Sequence, residues 1–133
     1  MTYLLDTDIC VYWLKGNRNI EEKAMHVGLD NIHLSFITIS ELYYGAYKSQ
    51  RVNENVNVVK RLEELLEVID SDVEICSSFG KLKASLEKEG KVIDDADLFI
   101  AACALARGAT LVTNNERHFR RIKGLKIENW SGK

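Results

Sequence analysis

The sequence contains no proline, so no proline-rich linker divides it, and it shows neither an internal repeat nor a low-complexity stretch. Its 133 residues correspond to the usual size of one domain. The hydrophobic fraction of 46% and the charged fraction of 29% are ordinary for a globular protein. We therefore expect a single domain over residues 1–133.

Long apolar runs are also missing, since none approaches the roughly 18 residues that a membrane span requires. The N-terminus lacks the basic start and the small-residue cleavage site of a signal peptide. The only cysteines, Cys10, Cys76 and Cys103, have no metal-ligand spacing. We expect them to be reduced core residues of a cytoplasmic protein that has no membrane partner.

The net charge of −2 neither requires nor excludes a nucleic-acid partner, because the distribution of charge matters more than its sum. Basic side chains cluster near the C-terminus, where Arg117, Arg120 and Arg121 begin a run that continues to Lys126. Such a run is either a solvated face or a surface for the phosphates of a nucleic acid. His118 lies within it, but a lone histidine without metal-ligand spacing is only a weak candidate for catalysis.

Apolar periodicity predicts strands that alternate with helices along the whole chain. The predicted strands are TYLL, NIHLSF, EVID, ATLVT and LKIEN. The predicted helices cover residues 7–15, 19–28, 37–47, 53–66, 72–89, 94–107 and 116–121. Short apolar strands separated by helices favour an α/β fold with a parallel sheet that is covered on both faces.

Polar side chains follow the predicted strands at the places where such folds bind ligands, beyond the carboxyl ends of the strands. Asp6 comes directly after the first strand, and Asn115 lies just past the strand ATLVT. Glu41 lies one turn into the helix after the second strand, and Asp97 lies in the first turn of the helix before ATLVT. All four side chains are therefore candidates for one site at this edge of the sheet.

Some of these acids also have purely structural interpretations. Asp6 and Asp8 are both placed to cap the helix that follows them. Glu41 is compatible with the polar stripe of an exposed helix. The sequence pattern leaves these alternatives open.

Three acids, Asp94, Asp95 and Asp97, begin a predicted helix, where carboxylates interact favourably with the helix dipole. Asp97 differs from its neighbours because the apolar run LFIAACALA follows it, so its helix is buried on nearly all sides. An acid at that position should point into a pocket. Carboxylates that converge there repel one another unless a cation intervenes. Mg²⁺ takes one or two carboxylates and keeps several waters, which are a source of a nucleophile.

Four segments together resemble the PIN-domain ribonucleases of the VapC toxin type. They are LLDTDIC, ISELYYG, DADLFIAACALARGATLVTNN and ERHFRRIKGLKIENW. The resemblance extends over nearly the whole chain in the right order, and its last two segments are the most specific. It implies a three-layer α/β/α sandwich around a mostly parallel sheet of about five strands. It also implies Mg²⁺- or Mn²⁺-dependent endonuclease activity on RNA, often tRNA.

Matched motif by motif, the resemblance assigns the metal-binding acids of the family to Asp6, Glu41 and Asp97. The fourth catalytic position, which is acidic in many members, is Asn115 here. This departure makes one tightly held Mg²⁺ or Mn²⁺ the expectation, with any second ion arriving together with the substrate.

The expected hydrolysis also suggests roles for residues other than the acids. We expect Thr113 or Asn115 to orient the attacking water or the phosphate, and the basic run with Arg117, Arg120 and Arg121 to hold the flanking RNA backbone. The family also implies homodimerisation and neutralisation by a small VapB-like antitoxin, which inserts a segment of its chain at the acid pocket.

A haloacid-dehalogenase-type phosphohydrolase is the main alternative, because YLLDTD, HLS and IDDAD resemble its motifs. Asp6 would then be a covalent nucleophile and Asp8 the general acid. Against this class, Cys10 stands where Thr or Val is usual, and the chain is short. A receiver-type phosphoacceptor domain and a non-catalytic binding module are weaker alternatives.

Overall fold

The structure, a computed structural model, describes residues 1–132. Its strands are β1 (Tyr3–Leu5), β2 (Ile32–Ser35), β3 (Glu67–Ile69), β4 (Thr110–Val112) and β5 (Ile127–Glu128). Its helices are α1 (Thr7–Leu14), α2 (Arg18–Val27), α3 (Phe36–Tyr47), α4 (Val52–Leu65), α5 (Val73–Lys88), α6 (Asp95–Arg107) and α7 (Glu116–Phe119), with a short 3₁₀ turn at Leu29–Asn31. Within this described part, no helix is both long and apolar enough to span a membrane.

The strands form a single sheet in the order β3-β2-β1-β4-β5, and all neighbouring pairs are parallel. β1 lies at the centre, where Leu5 pairs with Val112 of β4. The backbone N–H of Asp6 continues this pairing beyond β1 by donating to the carbonyl oxygen of Val112 at 2.8 Å. Asp6 therefore lies at the carboxyl edge of the central strand, as the sequence pattern predicts.

The sheet is buried on both faces, as the residues of β1 show. Tyr3 and Leu5 belong to one core, which α1 to α4 cover, whereas Leu4 belongs to a second core, which α5 to α7 cover. Because successive strand residues point to opposite faces, a strand that is apolar at every position needs helices on both sides. The predicted three-layer α/β/α sandwich is confirmed.

Helix α6 runs through the second core, and residues 100–104 are fully buried. It ends at Gly108, whose φ of 62° is a left-handed conformation that glycine adopts without steric cost. Asp97 lies in the first turn of the same helix. Burial of the helix body thus determines where the Asp97 carboxylate can lie.

Cys76 is exposed, so the prediction that all three cysteines are core residues is wrong for this one. Helix α5 buries the preceding residue, Ile75, and each step along a helix rotates the side chain by about 100°. Cys76 is thereby turned toward solvent. Cys10 and Cys103 are buried as predicted, and all three thiols are free.

Candidate active site

Asp6 is the most buried acid at the carboxyl edge of the sheet, with only 7% of its surface exposed. It follows β1 and is the N-cap of α1, where its Oδ1 accepts from the backbone N–H of Thr7 at 2.8 Å. Its Oδ2 accepts from the Thr113 hydroxyl, also at 2.8 Å. The capping and the functional interpretations of Asp6 are therefore compatible, because one oxygen caps the helix while the other faces the end of β4.

Burial and neighbouring acids raise the pKa of Asp6 from 3.8 to about 7. Burial is the largest cause, and the charges of Asp8 and Asp97 add to it. The hydrogen bonds from Thr113 and Thr7 act in the opposite direction but do not compensate. The three aspartates are thus close enough for their charges to interact, as the sequence analysis predicts for Asp6 and Asp97.

Asp8 contributes more to this site than its position in a helix cap suggested. Its Oδ2 accepts from the backbone N–H of Asn114 at 3.2 Å. Its Oδ1 is buried and has no hydrogen-bond partner among residues 1–132. Burial also raises the pKa of Asp8. A buried carboxylate oxygen without a partner is costly, which is a further reason for the charged form of Asp8 to be disfavoured.

Asp97 contacts His118, which the sequence analysis ranked as only a weak candidate for catalysis. Asp97 Oδ2 lies 3.0 Å from His118 Nε2, and both side chains are largely shielded from solvent. Burial raises the pKa of Asp97, while the contact with His118 lowers it. The only sequence signal for this contact was the position of His118 shortly after ATLVT, at the same edge of the sheet.

The other acids of this helix behave differently. Asp95 is exposed and forms an ion pair with Lys83 at 2.9 Å. Asp94 is the N-cap of α6, but its side chain makes no capping hydrogen bond. The structure thus separates Asp97 from its two neighbours, as the apolar run after it predicts.

Glu41 is connected to Asp6 through hydrogen bonds of Thr7. The Thr7 hydroxyl donates to Glu41 Oε1 at 2.5 Å, and the same hydroxyl lies 3.2 Å from the hydroxyl of buried Thr38. Thr7 is also the residue whose N–H bonds to Asp6. Glu41 itself is exposed on α3, so it lies at the solvent side of the acid group.

Thr113 links the end of β4 to Asp6. Its hydroxyl donates to Asp6 and also accepts from the backbone N–H of Asn115 at 3.0 Å. The Asn115 side chain is exposed at the start of α7. The neighbouring Asn114, in contrast, is tied to the C-terminal segment, because its side-chain oxygen accepts a hydrogen bond from Asn129 at 3.2 Å.

The basic residues divide into two groups. Arg117 and Arg120 are exposed, and Arg120 makes a long contact of 3.9 Å with Glu116. Arg121 is partly buried and donates both to the backbone oxygen and to the ring of His118. Arg117 and Arg120 are therefore available to a phosphate backbone, whereas Arg121 is engaged with His118.

The side chains of the site fit a hard divalent cation. Within residues 1–132, no three carboxylate, histidine or cysteine side chains are already arranged as a ligand cluster. Mg²⁺ nevertheless requires only one or two carboxylates besides water. A cation beside Asp6, Asp8 and Asp97 would favour their charged forms and supply a partner for the free Oδ1 of Asp8.

Comparison with known proteins gives full-length matches. A PIN domain family model matches residues 3–125. The tRNA(fMet)-specific endonuclease VapC of Shigella flexneri is 33% identical over 131 residues, which cover 98% of this chain and 99% of the relative. Ribonuclease VapC2 of Rickettsia felis is 38% identical over 135 residues, which cover 98% of each chain.

Solved structures agree with the sequence matches. The structure of DNA-bound VapBC from Salmonella typhimurium superposes with a TM-score of 0.93 at 36% identity, and the match covers 98% of each chain. Both sequence and backbone geometry thus match over nearly the whole length. The chain therefore belongs to the PIN domain family, among its VapC-type ribonuclease toxins.

Proposed function

We propose that this protein is an endoribonuclease toxin that depends on Mg²⁺ or Mn²⁺ and hydrolyses phosphodiester bonds in tRNA. The observation that carries the proposal is the group of interacting aspartates at the carboxyl edge of the central strand, of which Asp6 is buried and Asp8 and Asp97 are partly buried. The name of the Shigella flexneri relative, a tRNA(fMet)-specific endonuclease, supports tRNA as the substrate class.

Asp6 and Asp97 would hold the cation, with Glu41 binding directly or through water, and the neighbouring carboxylate of Asp8 adds negative charge beside them. The chemistry that a bound divalent cation supplies is a lowered pKa for water and compensation of negative charge on the phosphate. No covalent enzyme intermediate is needed for this hydrolysis, because water is the nucleophile.

The chain's own hydrogen bonds organise this site before RNA arrives. Thr113 and the N–H of Thr7 hold the two oxygens of Asp6. Asn115 presents its exposed amide at the same edge, where it can orient a water or a phosphate oxygen. Arg117 and Arg120 carry exposed positive charge next to it, which attracts the flanking phosphates.

The haloacid-dehalogenase alternative is not favoured. The full-length relatives are ribonucleases. The homodimer implied by the family resemblance stays a prediction.

The proposed function is tested with purified protein and a panel of tRNA, ribosomal RNA and messenger RNA fragments. We expect cleavage of tRNA in Mg²⁺ or Mn²⁺, no cleavage in EDTA, and a decline with rising salt as phosphate contacts weaken. Hydrolysis by water leaves a terminal monophosphate, whereas attack by a ribose 2′-hydroxyl leaves a cyclic phosphate. Equal cleavage in EDTA, or cyclic phosphate ends, would contradict the proposal.

We propose further that a cognate antitoxin docks in the groove between α1, α3 and α4. This groove has a volume of about 420 Å³, and its lining includes Val11, Leu14 and Val59 together with Thr7 and Glu41 of the site. A mainly apolar segment fits its walls, and a basic side chain at the end of that segment would meet the acids. The VapBC complexes among the structural neighbours support a partner of this kind.

Leu14→Glu tests this docking surface, because Leu14 is 43% exposed in the groove. Loss of an apolar anchor at an interface costs on the order of 2 kcal/mol, so we expect about 30-fold weaker antitoxin binding by calorimetry. The control is Met25→Glu, since Met25 is 64% exposed on α2 outside the groove. Equal affinities of the wild type and Leu14→Glu would rule out this site.

A further inference from the structure

A histidine and an arginine form a chain of contacts that ends on Asp97. His118 Nε2 lies 3.0 Å from Asp97 Oδ2. On the other side of the ring, Nδ1 lies 2.9 Å from Arg121 Nη2. Arg121 also donates through Nε to the backbone oxygen of His118 at 3.2 Å. Each ring nitrogen therefore faces a group whose role as hydrogen-bond donor or acceptor is known.

These partners determine which nitrogen carries the proton. An arginine guanidinium has donors only and stays protonated. Nδ1 of His118 must therefore accept from Arg121, and it carries no proton. The proton of the neutral ring is then on Nε2, which donates to Asp97 Oδ2.

The position of this ring is fixed by its neighbour in α7. Phe119 is fully buried in the second core, so the short helix is anchored directly beside His118. Arg121 adds a second restraint through its contacts with both the backbone and the ring of His118. The N–H that faces Asp97 is thus held from two sides.

We propose that His118 and Arg121 are positioning residues that orient the Asp97 carboxylate for the divalent cation. By occupying Oδ2, the imidazole N–H leaves Oδ1 of Asp97 for the ion and restricts rotation of the carboxylate. Arg121 acts on the carboxylate through the ring and not by binding RNA. This inference depends on the proposed function, because it presumes that Asp97 is a metal ligand.

Binding of Mn²⁺ measured by calorimetry tests the proposal without an activity assay. Partners of this kind change metal affinity by roughly 10- to 100-fold, so we expect His118→Ala to bind Mn²⁺ at least about tenfold more weakly. His118→Gln should retain most of the affinity, because the glutamine amide nitrogen can donate from nearly the position of Nε2. Arg121→Met should weaken binding by a smaller factor. His26→Ala and Arg61→Met, which remove exposed side chains on α2 and α4, are the controls.

Nitrogen NMR of the wild-type ring provides a readout that does not need a variant. We expect Nε2 protonated and Nδ1 unprotonated in the metal-free protein. A proton on Nδ1, or wild-type Mn²⁺ affinity in His118→Ala, would overturn the inference. Failure of His118→Gln to restore binding would also overturn it, since an N–H donor at this position would then not be sufficient. If Asp97→Asn itself binds Mn²⁺ normally, the proposed function fails rather than this inference alone.

Discussion

Replacement of Asp97 by asparagine should lower RNA cleavage by on the order of 10³-fold, the scale for loss of an electrostatic contact to a transition state. The substitution removes one negative charge and leaves the volume unchanged. An asparagine oxygen can still accept from His118 Nε2, so the local packing should survive. Cleavage of labelled tRNA in Mg²⁺, together with a thermal unfolding curve, measures both consequences.

Asp95→Asn is the matched control, because it makes the same chemical change two residues away on the same helix. Asp95 is exposed and pairs with Lys83, so its replacement should leave cleavage within about twofold and cost little stability. A folded Asp97→Asn variant that cleaves as fast as Asp95→Asn would remove Asp97 from the proposed active site.

Replacement of Asp6 by asparagine should stabilise the metal-free protein while it abolishes cleavage. The buried Asp6 carboxylate has a pKa of about 7 in the folded state, against 3.8 for an unperturbed group. The charged form is therefore disfavoured by folding. A shift of this size corresponds to about 4 kcal/mol at most, and an amide of the same shape does not carry that cost.

The sign of the pH dependence follows from the direction of the shift. Below pH 3.8 the Asp6 carboxyl is mostly protonated in both the folded and the unfolded state, so folding does not have to bury a charge there. As the pH rises toward 7, the unfolded chain loses this proton first, so the free energy of unfolding falls. The free energy of unfolding of Asp6→Asn should therefore exceed that of the wild type by very little near pH 4 and by the largest amount above pH 7.

Chemical denaturation of both proteins in EDTA, at several pH values, measures this difference directly. Asp30→Asn, at an exposed position, is the control and should show no pH-dependent difference from the wild type. Mg²⁺ should stabilise the wild type and not Asp6→Asn, because a ligand that binds only the folded state stabilises it. A wild type that is more stable than Asp6→Asn above pH 7 in EDTA would contradict the assigned environment of Asp6.

Local sequence signals predicted the elements of this fold well, since the apolar periodicity of each segment reflects the face that it buries. Most predicted bounds lie within one residue of the observed ones, the 3₁₀ turn at Leu29–Asn31 was not predicted, and the largest differences lie near the C-terminus. The predicted helix 116–121 ends at Phe119, and the predicted strand LKIEN is reduced to Ile127–Glu128. Short, polar elements are held mainly by contacts with the rest of the protein, which local periodicity does not report.

Tertiary contacts, in contrast, determined the environment of each site residue. Asp8 was compatible with a simple helix cap, but its Oδ1 is buried without a partner among residues 1–132. His118 and Arg121 gave no spacing signal, yet they form the contacts that reach Asp97. Hydrogen-bond partners far apart in sequence cannot be read from a local pattern, because they depend on how the helices and strands pack.

The sequence by itself determined the fold class and the edge of the sheet at which the acids meet. Buried strands that alternate with helices require a parallel sheet with two covered faces, and residues just after parallel strands share one edge. Only the tertiary structure decided which acids are desolvated and which remain in water. That distinction separates Asp6 and Asp97 from Asp95, because burial depends on the packing of α6 and the central strands and not on residue type.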